Sequence, residues 1–316
     1  MNRGGERPRV LHVLTGCTAV GKTEWALQWA EANSAEIISC DSLLFYRGMD
    51  IGTAKPTRAE RDRIPHHLID LVSPMEAYSA GRFRDDALAA VRAIGARGRL
   101  PMLVGGTMLY YRALTRGLAD LPVAQPALRE EIEERAQREG WPALHAELAR
   151  VDPESAARIE PGDAQRIQRA LEVHRHTGRP LSQLQAAGLQ EIAMGGALSI
   201  SLEPSDRAVL HELIAARFRA MLGRGLVAEL EGLRALYPLH ASMPAMRTVG
   251  YRQAWDTLEG TQPAATLEAR GVAATRQLAK RQLTWLRAMP EVERIDSLAA
   301  DVEARVALRV ERYLDA

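Results

Sequence analysis

Two cysteines in 316 residues, Cys17 and Cys40, exclude a disulfide framework and supply too few ligands for a cysteine-rich zinc site. Both read as reduced thiols. Apolar runs of membrane-spanning length are also missing, and the opening M-N-R-G-G-E-R-P-R lacks the apolar core of a secretory signal. A cytoplasmic protein with no membrane partner is expected. There is little excess charge: 41 basic residues against 40 acidic ones leave a formal net charge of +1. That balance neither advertises nor excludes a nucleic acid, since binding needs a local basic face rather than a basic average. Lysine is scarce, with Lys22, Lys55 and Lys280 the three among those 41 cations. A chain that otherwise uses arginine retains lysine where a compact, flexible ammonium is needed. What is present, 47% hydrophobic and 26% charged residues, is the composition of a globular chain and excludes a disordered one.

The length allows one large α/β domain, or a core with a smaller second domain. Residues 9–15 read as a buried strand, followed by a glycine loop and an apolar-periodic helix over about 22–32. A second strand over 35–40 ends on Asp41. Residues 66–71 read as a short strand, and Ser79 as the N-cap of a helix running to about Gly98. A strand over 100–104 turns at Gly105-Gly106-Thr107 into another helix. This β-α-β alternation predicts a parallel sheet whose loops gather at the strand C-termini. From Leu121-Pro122 to about Gly195 the pattern is almost wholly helical. A return strand over 198–202, amphipathic helices to about 288, a strand over 291–296 and a terminal helix follow. The predicted fold is α/β: a P-loop, nucleotide-kinase-like parallel-sheet core (1–120 and 196–316) interrupted by an inserted helical domain (121–195).

The strongest motif is Gly16-Cys17-Thr18-Ala19-Val20-Gly21-Lys22-Thr23, the G-x-x-x-x-G-K-T spacing of a P-loop between strand and helix. Its backbone N–H groups and the helix N-terminus suit a diphosphate or triphosphate. Lys22 adds a mobile cation, and Thr23 an oxygen able to hold Mg²⁺. Chance would place the motif in about 2 chains per 1,000 of this composition. Asp41, at the end of the neighbouring strand, faces the same site as a base or metal-binding carboxylate, or else caps a helical turn. Gly105-Gly106-Thr107 permits close backbone approach on that edge, or is an ordinary turn. His66-His67 cannot chelate one ion, because adjacent strand residues point to opposite faces. Three basic segments, Gln165–Arg169, Arg247–Arg252 and Arg276–Arg287, each read as a solvated face. Together, with their amides and Trp285, they fit a surface that grips a phosphate backbone and splays bases. On α-helical geometry Arg276, Lys280 and Arg287 fall near one face, with Arg281 and Trp285 offset.

With these motifs the chain resembles the tRNA dimethylallyltransferase (isopentenyltransferase) family. The matching blocks are G-C-T-A-V-G-K-T, D-S-L-L-F-Y-R-G-M-D-I-G-T-A-K-P, P-H-H-L-I-D, Y-S-A-G-R-F, L-V-G-G-T-M-L-Y, D-A-Q-R-I-Q-R-A-L-E-V, M-R-T-V-G-Y-R-Q and K-R-Q-L-T-W-L-R, in family order over about residues 10–290. The resemblance implies transfer of a dimethylallyl group from dimethylallyl diphosphate to N6 of adenosine 37, beside the tRNA anticodon. It implies that the P-loop with Mg²⁺ holds the diphosphate, that Arg217 adds a cation, and that Asp41 is the general base. Thr107 and Arg129 match tRNA-touching positions, Thr107 being catalytic as well. The implied tRNA contacts further include Asp41, Ser42, Leu43 and Leu44; Gln165, Arg166, Ile167, Gln168 and Arg169; and Arg247, Thr248, Val249, Gly250, Tyr251 and Arg252. A last group is Lys280, Arg281, Gln282, Leu283, Thr284, Trp285, Leu286 and Arg287. A monomer is the expected state.

Two positions depart from the family pattern. Leu44 replaces the glutamine of D-S-x-Q, which predicts apolar packing in place of a polar base contact. Cys17 replaces the usual proline of the P-loop and offers a site for thiol modification. The rival readings are a small-molecule or nucleotide kinase, which leaves the blocks beyond residue 120 unexplained, and a GTPase, for which an N-K-x-D motif is missing. A non-catalytic RNA-binding module would leave the P-loop and Asp41 unexplained.

Overall fold

The computed structural model describes residues 11–14, 16–119, 121–187 and 198–314. Among these, six strands form one sheet: β1 (Leu11–Leu14), β2 (Ala35–Ser39), β3 (His66–His67), β4 (Leu100–Gly105), β5 (Leu198–Glu203) and β6 (Glu293–Asp296). Their order is β3-β2-β4-β1-β5-β6 and every pairing is parallel. β2, for instance, is buried along its whole length, as expected of a strand covered on both faces. The protein is therefore a mixed α/β protein built on a parallel sheet.

The helices are α1 (Lys22–Ala32), α2 (Arg58–Arg63), α3 (Ala80–Ala96), α4 (Met108–Thr115), α5 (Pro126–Glu139), α6 (Trp141–Val151), α7 (Pro153–Arg158), α8 (Ala164–Thr177) and α9 (Leu181–Ala186). Beyond β5 come α10 (Arg207–Gly223), α11 (Leu226–Leu236), α12 (Tyr251–Leu258), α13 (Leu267–Arg287) and α14 (Val302–Leu314). Ser79 caps α3, its hydroxyl accepting from the N–H of Arg82 at 3.1 Å. No helix among the described residues is long and apolar enough to cross a membrane.

The chain divides into two compact units, 1–114 with 194–316, and 115–193. The first contains the sheet and two apolar clusters. One of these joins α1 and α14 to the strands through residues such as Leu27, Ile37, Ile200 and Val310. The second unit has its own core of Ile132, Leu144, Leu148, Ile167, Leu171 and Val173 from α5, α6 and α8. Within it Glu172, almost wholly buried, accepts from Arg129, Arg169 and the N–H of Gln125.

One expectation needs correction. The strand expected over 66–71 ends after His67, because Leu68 and Asp70 take left-handed φ values of 61° and 56°, which extended pairing does not allow. Asp70 is instead pinned by Lys55 and Arg61. The first strand spans Leu11–Leu14, and residues 9, 10 and 15 of the expected range lie outside the described residues.

Candidate functional site

The glycine loop leaves β1 at the centre of the sheet and runs into α1. Gly21, at φ 80°, is the N-cap of that helix; an L side chain there would be strained, and no side chain caps the helix. The orphaned donors of the first turn are therefore left for an anion to satisfy. Gly16 lies deeper: its N–H donates to Ser201 Oγ at 3.3 Å, and that hydroxyl donates to Glu203. Lys22 Nζ rests on the loop's own Cys17 carbonyl at 3.0 Å. Burial, and then the Arg217 guanidinium, push the Lys22 ammonium down to about 8 despite the nearby Asp41 carboxylate. Arg217, from α10, is itself pushed down by burial and partly sustained by Asp41.

Asp41 follows β2, where the strand meets β4. Gly105 is required there, since a Cβ would collide with the Cys40 carbonyl. Cys40 N–H donates to Val104 O at 2.7 Å and Thr107 N–H to Cys40 O at 3.1 Å. Thr107 Oγ1 accepts from Ser42 N–H at 2.9 Å, and Asp41 Oδ1 from Leu43 N–H at 3.0 Å. The Asp41 loop is anchored downstream by buried Phe45 and Tyr46. The Phe45 ring lies 4.6 Å from Tyr46 and 4.4 Å from Tyr78.

These segments enclose a cavity of about 600 Å³ lying wholly within the sheet-containing unit. Its wall includes Thr18–Thr23, Asp41–Leu44, Thr107 and Arg217, together with Arg247–Val249, Arg281, Gln282 and Trp285. Among the described residues the lining carries four cations (Lys22, Arg217, Arg247 and Arg281) and one carboxylate, that of Asp41. That imbalance suits a polyanion. Ile214, Phe218 and Met221, from the same face of α10 as Arg217, add an apolar wall, and Leu44 joins the lining. Trp285, 36% exposed, and Leu109, 48% exposed, place aromatic and aliphatic surface at the rim.

Not every expected residue is there. Ile167 is fully buried in the core of the helical unit, Tyr251 and Leu286 are fully buried in the sheet-containing unit, and Gly250 is buried as the N-cap of α12. The helical period that exposes their neighbours turns Ile167, Tyr251 and Leu286 inward, where their side chains pack in the core. Leu283 is half-buried against the same core. Lys280, Thr284 and Arg287 are exposed but off the cavity, and Arg252 pairs with Asp256 at 3.1 Å. In the helical unit Gln165 and Arg166 are exposed, Gln168 bonds Arg129 O, and Arg129 and Arg169 hold Glu172. Cys17 and Cys40 are fully buried, and burial pushes the Cys17 thiol up to about 12. Burial and the raised pKa leave Cys17 poorly suited to the expected thiol modification. His67 bonds Glu36 and His66 bonds the Ile64 carbonyl, both structural roles.

Sequence reasoning missed Glu229 of α11. Its carboxylate accepts from the N–H groups of Asp50, Ile51 and Gly52 and from the Tyr251 hydroxyl, fixing the D-I-G-T turn whose Gly52–Ala54 line the cavity. Lys55 is structural as well: buried, it donates to Tyr46 O and pairs with Asp50 and Asp70. Among the described residues no group of three or more His, Cys, Asp or Glu is arranged to hold a metal. The donors at hand, the Thr23 hydroxyl and the Asp41 carboxylate, fit Mg²⁺, which keeps several waters and leans on substrate phosphates.

Residues 44–289 match the IPP transferase family model. The tRNA dimethylallyltransferase of Burkholderia ambifaria is 56% identical over 98% of this chain and 96% of its own. The full-length tRNA isopentenylpyrophosphate transferase of Bacillus halodurans superposes with a TM-score of 0.68 at 34% identity, covering 98% of this chain and 99% of that one. A eukaryotic dimethylallyltransferase acting on tRNA reaches 0.74 at 25% identity, over 96% of this chain and 79% of its own. With a family model and a relative this similar spanning most of its length, the chain belongs to the IPP transferase family.

Proposed function

We propose that this protein transfers a dimethylallyl group from dimethylallyl diphosphate to N6 of adenosine 37 in tRNA, releasing diphosphate. The observation that carries the reading is the cavity, where a phosphate loop and four cations share one space with an apolar wall and a lone carboxylate. The finer fold reading, a P-loop nucleotide-kinase-like core, is supported by the parallel strand order and by the loop's position after β1.

In the reaction the allylic C–O bond breaks and its electron pair leaves with the diphosphate. Lys22, Arg217 and the N-terminus of α1 bind that developing charge in a site preorganised for it. When bound, Mg²⁺ would be held by Thr23 and diphosphate oxygens and would add further positive charge there. The N6 lone pair of adenine forms the new C–N bond, and Asp41 accepts the proton that N6 loses. Ile214, Phe218 and Met221 enclose the prenyl carbons, whose burial contributes roughly 4 kcal/mol at about 0.8 per CH₂. The base reaches the cavity by leaving its stack, at a cost of a few kcal/mol. Arg247, Arg281 and Trp285 at the cavity, with Arg129, Gln165 and Arg166 of the helical unit, are the proposed tRNA contacts; the helical unit is thus a tRNA-binding insert. The reading takes the protein as a cytoplasmic monomer.

Incubation of unmodified tRNA with the protein, Mg²⁺ and dimethylallyl diphosphate, followed by nucleoside mass spectrometry, tests the proposal. One C5H8 increment on adenosine 37 is expected. An unmodified adenosine 37 would overturn it.

A further inference from the structure

Gln282 lies in the basic stretch of α13, between Arg281 and the rim residue Trp285, yet its side chain turns away from solvent. Its Oε1 accepts from the N–H of Thr18 in the P-loop at 3.2 Å, while its Nε2 donates to the carbonyl of Gly106 at 3.0 Å. The orientation of the amide is dictated by its partners, because Thr18 N–H can only donate and Gly106 O can only accept. One side chain thus bridges two loops that are 88 residues apart in sequence. From Gly106 the connection continues through Thr107, whose N–H holds Cys40 O and whose hydroxyl receives Ser42 N–H, to the turn carrying Asp41.

We propose that Gln282 is a positioning residue, a strut that sets the distance between the phosphate loop and the loop pair bearing Thr107 and Asp41. The proposal rests on the prenyl-transfer reading for its kinetic test alone. Bond formation requires the diphosphate-bound carbon and the nucleophile to be held in line at about 3–3.5 Å, and a misplacement of about 1 Å costs roughly 100-fold in rate. A strut of this kind acts on turnover, whereas a residue that merely contacts tRNA acts on tRNA affinity. Glutamine suits the task because it offers a donor and an acceptor on one rigid plane. Glutamate keeps the acceptor for Thr18 but meets the Gly106 carbonyl with a second acceptor.

The test uses the full chain with Gln282→Met, close in shape and without either bond, and Gln282→Glu, which keeps one. Turnover at saturating tRNA and donor, tRNA affinity by filter binding, and thermal unfolding are measured together. The proposal predicts that Gln282→Met lowers kcat about 10- to 100-fold, with tRNA Kd within about twofold of the parent and no large loss of folding. Gln282→Glu loses kcat as well, because one bond cannot fix both loops; if the methionine variant does not fold, this variant decides. Turnover within twofold of wild type, or a loss confined to tRNA Kd, overturns the proposal. Should the wild-type chain transfer no prenyl group, the functional reading falls instead, and the strut is judged by calorimetry with inorganic diphosphate. The strut then predicts at least about fivefold weaker binding in Gln282→Met, and unchanged affinity overturns it.

Discussion

The backbone N–H of Ser42 donates to Oγ1 of Thr107 at 2.9 Å, so the residue after the candidate base is held by the turn that follows β4. Thr107→Val keeps the shape of the side chain and removes the acceptor, leaving a part-buried N–H unpaired at a cost of about 1–3 kcal/mol. A fall in kcat of about tenfold, with little change in donor KM, is expected, and Thr107→Ser retains most of the activity. Steady-state kinetics of the two variants decide; equal turnover of both would remove the hydroxyl from the account.

Among the described residues Asp41 is the one carboxylate on a cavity wall that also carries four cations. Asp41→Asn preserves its size and its ability to accept from Leu43 N–H, but cannot take a proton from N6. Binding of tRNA and of donor is expected to persist while kcat drops by about 10²–10⁴-fold. Gel shift and single-turnover rates on the same preparation check this.

Lys22 supplies the pH dependence. Burial and Arg217 hold its ammonium near 8 in the free protein, against an ordinary value of 10.5. A bound diphosphate restores the charged form, so donor affinity is full below that value and declines as pH rises through it. Near pH 9 donor binding should be accompanied by uptake of close to one proton, read by calorimetry in buffers of different ionisation enthalpy. Lys22→Met abolishes both the uptake and the decline.

In the helical unit, burial opposes ionisation of Glu172, but hydrogen bonds from Arg129, Arg169 and Gln125 N–H outweigh it and hold the carboxyl below its usual range. Its contribution to stability is complete above the ordinary carboxylate pKa and is lost as pH falls through the depressed one. Glu172→Ala leaves two arginines without their shared partner. Both are partly solvated, so the expected loss is about 2 kcal/mol rather than the 3–5 of a fully buried pair. Denaturant unfolding followed near neutral pH and in mild acid checks the size and the pH trend.

Much of the fold was legible because its signals are local. The G-x-x-x-x-G-K-T spacing, the buried strand runs and Ser79 each announce a structure within a few residues. The residues that shape the cavity from a distance were not legible. Glu229 reads as one more charge on an amphipathic helix, and only the fold brings it to the N–H groups of residues 50–52, about 178 positions away. Ile214, Phe218 and Met221 have the spacing of any core stripe, and one helical period separates a pocket wall from a packed interior. Gln282 sits in a stretch of cationic residues that suggests RNA, yet it points to the phosphate loop. The strand expected to reach residue 71 failed for a similar reason: the ties of Asp70 to Lys55 and Arg61 are invisible in the apolar pattern.

The central claim is that the loop at Gly16–Thr23 holds the leaving diphosphate of a prenyl donor rather than ATP. The most direct measurement incubates the protein and unmodified tRNA with Mg²⁺ and either dimethylallyl diphosphate or ATP, following the tRNA and the released diphosphate. Prenylated tRNA and an equal amount of diphosphate, formed without ATP, are the expected result. Phosphoryl transfer from ATP with no prenylation would contradict it.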